Sequence, residues 1–210
     1  MRWRSTSRHP PRSSTTLTST SSSGERIVTR DAPLFFHDTA VLINFHRPGM
    51  IPVLGSLFGT KVRWTATIRR ECERQEGRLQ LPGLVTAADG LLGAPIVPET
   101  AEHLPIRQLR TLMASPGDHP DEHWGEAETI AIIHQRRLGA VLVTDDGDAR
   151  RWATPIRSVG TWRLLKLAHR RGDVNDDDAL RLWQAFIDAG GHPPRDVATQ
   201  NRMLTWFRDQ

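Results

Sequence analysis

From Ala32 onward, short apolar runs alternate with longer segments of helical pattern, and this alternation restricts the fold more than any other feature of the chain. The runs are "PLFF" (33–36), "KVRW" (61–64), "APIVP" (94–98), "AVLVT" (140–144) and "PIRSVG" (155–160). Among them lie the helical segments "DTAVLINFH", "IPVLGSLFG", "TATIRRECERQ", "EHLPIRQLRTLMA" and "EAETIAIIHQRRLG", followed by "TWRLLKLAHRRG" and "DDDALRLWQAFIDAGG". Strands joined by helix-length crossovers run parallel. The expected fold is therefore an α/β three-layer sandwich, with a mostly parallel sheet of four to five strands and helices on both faces. Asp38 and Thr65 stand at N-cap positions, and Gly49 and Gly139 where helices should stop.

Three regions are expected. Residues 1–31 are rich in Ser, Thr and Arg with almost no apolar residues, so they cannot bury enough surface to offset their ordering entropy and are expected to be disordered. Residues 32–190 carry the α/β pattern, and residues 191–210 form a helical extension whose Met203, Leu204, Trp206 and Phe207 need cover. The sequence pI of 10.4 suggests nucleic acid, but six arginines and one acid lie in residues 1–30, which leaves 22 basic and 23 acidic residues in the rest. Bulk charge thus decides nothing about the folded part. The Arg/Ser-rich start can mimic a transit peptide but has no apolar core for a secretory signal. No apolar run is long enough for a membrane span, and a single cysteine, Cys72, fits a reducing cytoplasm.

Chemistry concentrates in acids at strand ends and helix starts. "AVLVTDDGDARRWA" puts Asp145, Asp146 and Asp148 at the end of a buried-type strand, and Asp38 follows the first strand. Glu126 and Glu128 open a helix, and Glu71 lies two turns into the helix after "KVRW". Ligands of open parallel sheets collect at the carboxyl ends of strands. Convergent carboxylates repel unless a cation sits among them, and oxygen ligands without thiolates suit Mg²⁺ or Mn²⁺. Each acid also has an ordinary use: Asp38 as an N-cap, Glu126 or Glu128 against a helix dipole, Glu71 as a partner of Arg70 or Arg74, and "DDG" as a turn.

"FFHDTAVLINF", with Asp38, Thr39 and Asn44, "TATIRRE", "GEAETIAII", "LVTDDGDAR" and "VGTWRLLKLAHRRGDV" together resemble the PIN-domain family, in particular the VapC-like ribonuclease toxins, over residues 33–190. The resemblance implies a PIN-like fold and a divalent-metal-dependent endoribonuclease that hydrolyses RNA, often a homodimer and, in toxins, silenced by a small antitoxin protein. It assigns catalytic roles to Asp38, Glu71, Glu128 and Asp146, and metal ligation to Asp38, Glu128, Asp146 and Asp148. Glu126 is the alternate acid, Thr39 and Thr144 supporting hydroxyls, and Arg150 a phosphate contact. "VRWTATIRRE" is more basic than the family's usual apolar version, and "LVTAADGLLGAPIVPETAEHLP" (84–105) has no counterpart.

Two other features have ordinary explanations. "DHPDEH" sets His119 and His123 among acids, but Pro120 interrupts any helix that would align them, so a solvated loop is expected. Trp162 and Trp183 fall at apolar helical positions and read as core. The alternatives to a nuclease are a non-catalytic PIN-like module binding RNA or protein, and a phosphohydrolase on another α/β fold. The latter fits poorly, since Asp38-Thr39 lacks a D-x-D spacing.

Overall fold

The computed structural model describes residues 32–194, 197 and 200–208, so the expectation for residues 1–31 lies outside the described residues. Four strands, β1 (Leu34–His37), β2 (Val62–Arg63), β3 (Ala140–Val143) and β4 (Arg157–Val159), form one sheet in the order β2-β1-β3-β4, with every pairing parallel. Leu34 lies opposite Ala140 and His37 opposite Val143, so β1 and β3 end level with each other. The chain leaves β1 to one side to make β2 and returns on the other to make β3. That reversal opens a crevice at the strands' carboxyl ends, where Asp38 and Thr144 emerge.

Among the described residues, ten α-helices surround the sheet: α1 (Thr39–His46), α2 (Ile51–Phe58), α3 (Ala66–Arg78), α4 (Leu84–Leu92), α5 (His103–Met113), α6 (Trp124–Gln135), α7 (Gly147–Trp152), α8 (Thr161–Arg171), α9 (Asp176–Asp188) and α10 (Gln200–Arg208). Alternate strand residues face opposite layers. Phe36 and Leu142 pack with Ile106, Met113, Ile130 and Ile133 of α5 and α6. Val143 packs on the other side with the larger core of α1–α4 and α8–α10. The result is a three-layer α/β sandwich. α10 belongs to that second core, with Met203 and Phe207 fully buried. Trp183 is buried there too, and Trp162 packs against it.

Three local expectations change. "APIVP" contributes only one parallel bridge, Ile96 opposite Thr65, because Pro95 and Pro98 flank it and lack the N–H groups a ladder needs. "LVTAADGLL", unassigned from sequence, is α4. The helix expected to reach Gly139 stops at Gln135, with Arg137 in the left-handed conformation and Leu138 N–H bonded to Ile133 C=O, a Schellman-type ending.

Helix starts follow an unusual rule. Neither Asp38 nor Thr65 makes a capping hydrogen bond, and several helices take their cap from another part of the chain. Glu128 of α6 accepts from Thr67 N–H at the start of α3 (2.8 Å), and Glu71 of α3 accepts from Gly125 N–H at the start of α6 (3.1 Å). Glu76 accepts from Gly83 and Val85 at the start of α4. Asp145 accepts from Thr161 N–H at the start of α8 (2.7 Å). Each pairs a carboxylate with the positive end of a helix and fixes two elements at once.

Candidate metal centre

β1 delivers Asp38 directly into the crevice. Its carboxylate is 6% exposed and takes a hydrogen bond from the Thr144 hydroxyl (3.1 Å) at the end of β3. The Asp146 N–H in turn donates to the same Thr144 oxygen (3.1 Å). A buried threonine thus ties the ends of the two central strands together and fixes both aspartates. From α3, Glu71 enters beside them, oriented by the Thr39 hydroxyl (2.7 Å) and by Gly125 N–H. From the first turn of α6 comes Glu126, half-buried. Asp38, Thr39, Glu71, Glu126 and Asp146 line a cavity of about 840 Å³ together with Arg74, Gln75, Arg78, His119, Asp121, Glu122 and His123.

Helix geometry separates the two α6 acids. Residues two apart on an α-helix point in nearly opposite directions, so only one of Glu126 and Glu128 can face the crevice. Glu126 does. Glu128 is turned to α3, where its oxygens accept from Thr67 N–H (2.8 Å) and Thr67 O–H (2.7 Å), and it does not line the cavity. The ligand role the resemblance gave to Glu128 therefore meets a carboxylate already committed to capping α3.

The three acids after β3 also part company. Asp145 accepts from Thr161 through both its N–H and its hydroxyl, and from Asn44 Nδ2 (3.3 Å). It is a brace between α1, β3 and α8. Asp146 caps α7 with one oxygen, accepting from Asp148 N–H (2.6 Å) and Ala149 N–H (2.9 Å), and lines the cavity. Asp148 is exposed in the first turn of α7 and is not part of the cavity wall. Arg150, expected at a phosphate, donates to the carbonyls of Asp145 and Asp146.

The electrostatics mark the cluster. Burial, then the negative charge of Glu126, pushes the Asp38 carboxyl far above the usual carboxylate range. Burial and Glu71 do the same to Glu126. Burial and Asp38 raise Glu71 from 4.5 to about 7. Among the described residues no arginine, lysine or histidine forms an ion pair with Asp38, Glu71, Glu126 or Asp146. Arg74, which lines the same cavity, offsets the charge of Glu71 only in part; four converging acids with no ion-pair partner suit a hard divalent ion.

Close packing of ligand atoms occurs elsewhere. Among the described residues the one trio with ligand atoms mutually within 4.8 Å is Asp118, Glu122 and His123, beside the cavity. The loop expected to be solvated brings them together because His123 adopts φ +67° and turns its ring back onto Asp118 (3.0 Å). Asp118 is already held by that ring and by Ser115 N–H, which pull its carboxyl below the usual range. No three of the four crevice acids bring ligand atoms within 4.8 Å of one another.

Arg74, Arg78, His119 and His123 join the cavity lining although the sequence does not assign them to it. The first two carried a signal, their four-residue spacing on one helix face. The histidines stand out among the acids of "DHPDEH", but Pro120 pointed to a solvated loop, and only the fold turns the His123 ring onto Asp118. No family model and no curated protein matches the chain.

Proposed function

We propose that this protein is a PIN-like, divalent-metal-dependent endoribonuclease whose metal is held by Asp38, Glu126 and Asp146, with Glu71 alongside. The reading is supported by one observation above all. Carboxylates from β1, α3, α6 and the end of β3, separated by up to 108 positions, converge in one crevice, and none of them forms an ion pair among the described residues. A bound Mg²⁺ or Mn²⁺ would supply neutralising charge, water activation and stabilisation of the leaving oxygen.

The chain's own residues prepare the site. Thr144 holds the Asp38 carboxylate toward the crevice, and Thr39 and Gly125 do the same for Glu71. Because Thr39 and Gly125 N–H occupy Glu71 from two sides, its carboxylate is preorganised and pays little to reorient. Arg74 and Arg78 line the same cavity and attract a polyanion against the repulsion of its acids, Asp121 and Glu122 included.

The test is cleavage of a labelled single-stranded RNA by the purified full chain with Mg²⁺, Mn²⁺ or EDTA. Cleavage with either ion and none in EDTA is expected, together with a loss on the order of 10²-fold or more in Asp38→Asn and Asp146→Asn. Equal rates in EDTA, or unchanged rates in both variants, overturn the proposal. Calorimetric titration with Mn²⁺ distinguishes the alternative, since a non-catalytic module would bind no metal in the crevice.

A further inference from the structure

The geometry points to a phosphate track along α3 that leads a single-stranded RNA from a second cavity into the acidic crevice. Arg70, Arg74 and Arg78 follow one another at four-residue intervals, so they form a stripe on one face of α3, about 12 Å from first to last. The stripe joins two cavities. Arg74 and Arg78 line the crevice holding the acids, while Arg70 and Arg74 line a neighbouring cavity of about 520 Å³. Across that second cavity stand His103 and Arg107 of α5, and the Trp124 ring forms part of its wall.

Pairing within the protein separates these arginines from their neighbour. Arg69, on another face of α3, is engaged by Glu73 and by Asp89 (2.9 Å). Among the described residues Arg70, Arg74, Arg78 and Arg107 form no ion pair, and Arg70 donates only to the Thr67 hydroxyl (2.7 Å). All four are exposed. The single carboxylate lining the second cavity, Glu128, is 4% exposed with both oxygens taken by Thr67. The surface offered to solvent there is cationic, with an aromatic ring beside it.

Unpaired arginines in a row with an aromatic ring beside them match a single strand, whose phosphates follow the charges and whose unpaired bases lie against a ring. A duplex would need a far longer face. The inference rests on the ribonuclease reading for the direction of travel, toward Asp38 and Asp146, but the binding itself does not need cleavage.

The experiment measures fluorescence anisotropy of a short fluorescein-labelled oligouridylate with the full chain in EDTA, over a series of salt concentrations. R70Q/R107Q is compared with R163Q/R170Q, which removes the same charge from exposed positions on α8. Loss of two phosphate contacts should weaken binding about tenfold or more and lower the log–log salt slope by about 1.4, while the α8 pair changes little. No binding by the wild-type chain, an unchanged R70Q/R107Q, or an equal loss in the α8 pair overturns the track. If cleavage never appears with any metal but the R70Q/R107Q difference persists, the nuclease reading falls and the track stands.

Discussion

Glu126 and Glu128 lie two positions apart in the same turn, and the direction of each side chain sets a different role. Removing Glu128 leaves the Thr67 N–H and the hydroxyl hydrogen without an acceptor in a buried place, so Glu128→Ala should lower stability by about 2 kcal/mol or more. Glu126→Gln removes one charge from a repelling group. It should raise the melting temperature in EDTA at neutral pH and abolish the rise produced by Mn²⁺. Thermal melts of both variants with and without Mn²⁺ check this, and a stabilised Glu128→Ala would contradict it. Gly125 is tested the same way. A Cβ there would stand 2.8 Å from both Glu71 carboxylate oxygens and 2.4 Å from Ile68 Cδ1. Gly125→Ala should therefore cost about 1–3 kcal/mol and weaken Mn²⁺ binding in calorimetry, because the carboxylate must leave its place.

At the scale of elements, the recurring device is a carboxylate that caps a helix to which it does not belong. α3 and α6 cap each other through Glu128 and Glu71, which fixes their relative position and so sets Glu71 and Glu126 at the crevice. Asp145 plays the corresponding part for α8, and Gly160 is the residue that lets it approach, since a Cβ there would lie 2.7 Å from Asp145 Oδ1. Asp145→Ala should cost about 2–3 kcal/mol by freeing the Thr161 and Asn44 donors. Asp148→Ala, on an exposed position of the same segment, should stay within about 0.5 kcal/mol of wild type and keep its Mn²⁺ affinity. Denaturant melts and Mn²⁺ titration of the two separate the brace from the bystander. An Asp148→Ala variant that no longer binds Mn²⁺ would return this residue to the metal site.

For the whole molecule, the crevice couples stability to pH and to metal. Folding pushes the Glu71 carboxyl up from 4.5 to about 7, and Asp38 and Glu126 shift in the same direction. Between these values the folded state holds protons that the unfolded state has released. Without divalent ions, stability should be greatest below about pH 4.5 as far as these groups are concerned, and fall as pH rises to about 7, by up to about 1.4 kcal/mol per pH unit for each carboxyl. Saturating Mn²⁺ favours the ionised form and should reverse the slope above pH 6. Melting temperatures between pH 5 and 8, in EDTA and in Mn²⁺, measure both effects. A curve that ignores the metal would show that the acids do not bind it.

The alternation of strand and helix was legible in the residues because hydrophobic period and chain punctuation are local properties. So was the gathering of Asp38 and Asp146, since parallel strands joined by crossovers end on the same side of the sheet. Three things depended on the packed chain. Glu126 and Glu128 have the same chemistry and the same local setting, so the choice between them waited on where α6 sits against α3. The work of Asp145 depends on Thr161, 16 residues later, and on Asn44, 101 residues earlier, partners that no local pattern announces. The arginine stripe was spaced correctly in the sequence, but only the placement of α5 and Trp124 opposite it makes a groove. Local pattern determines the elements and the side of the sheet on which charge accumulates. Which charges are spent on holding helices, and which remain for a ligand, is settled by contacts between elements far apart in the chain.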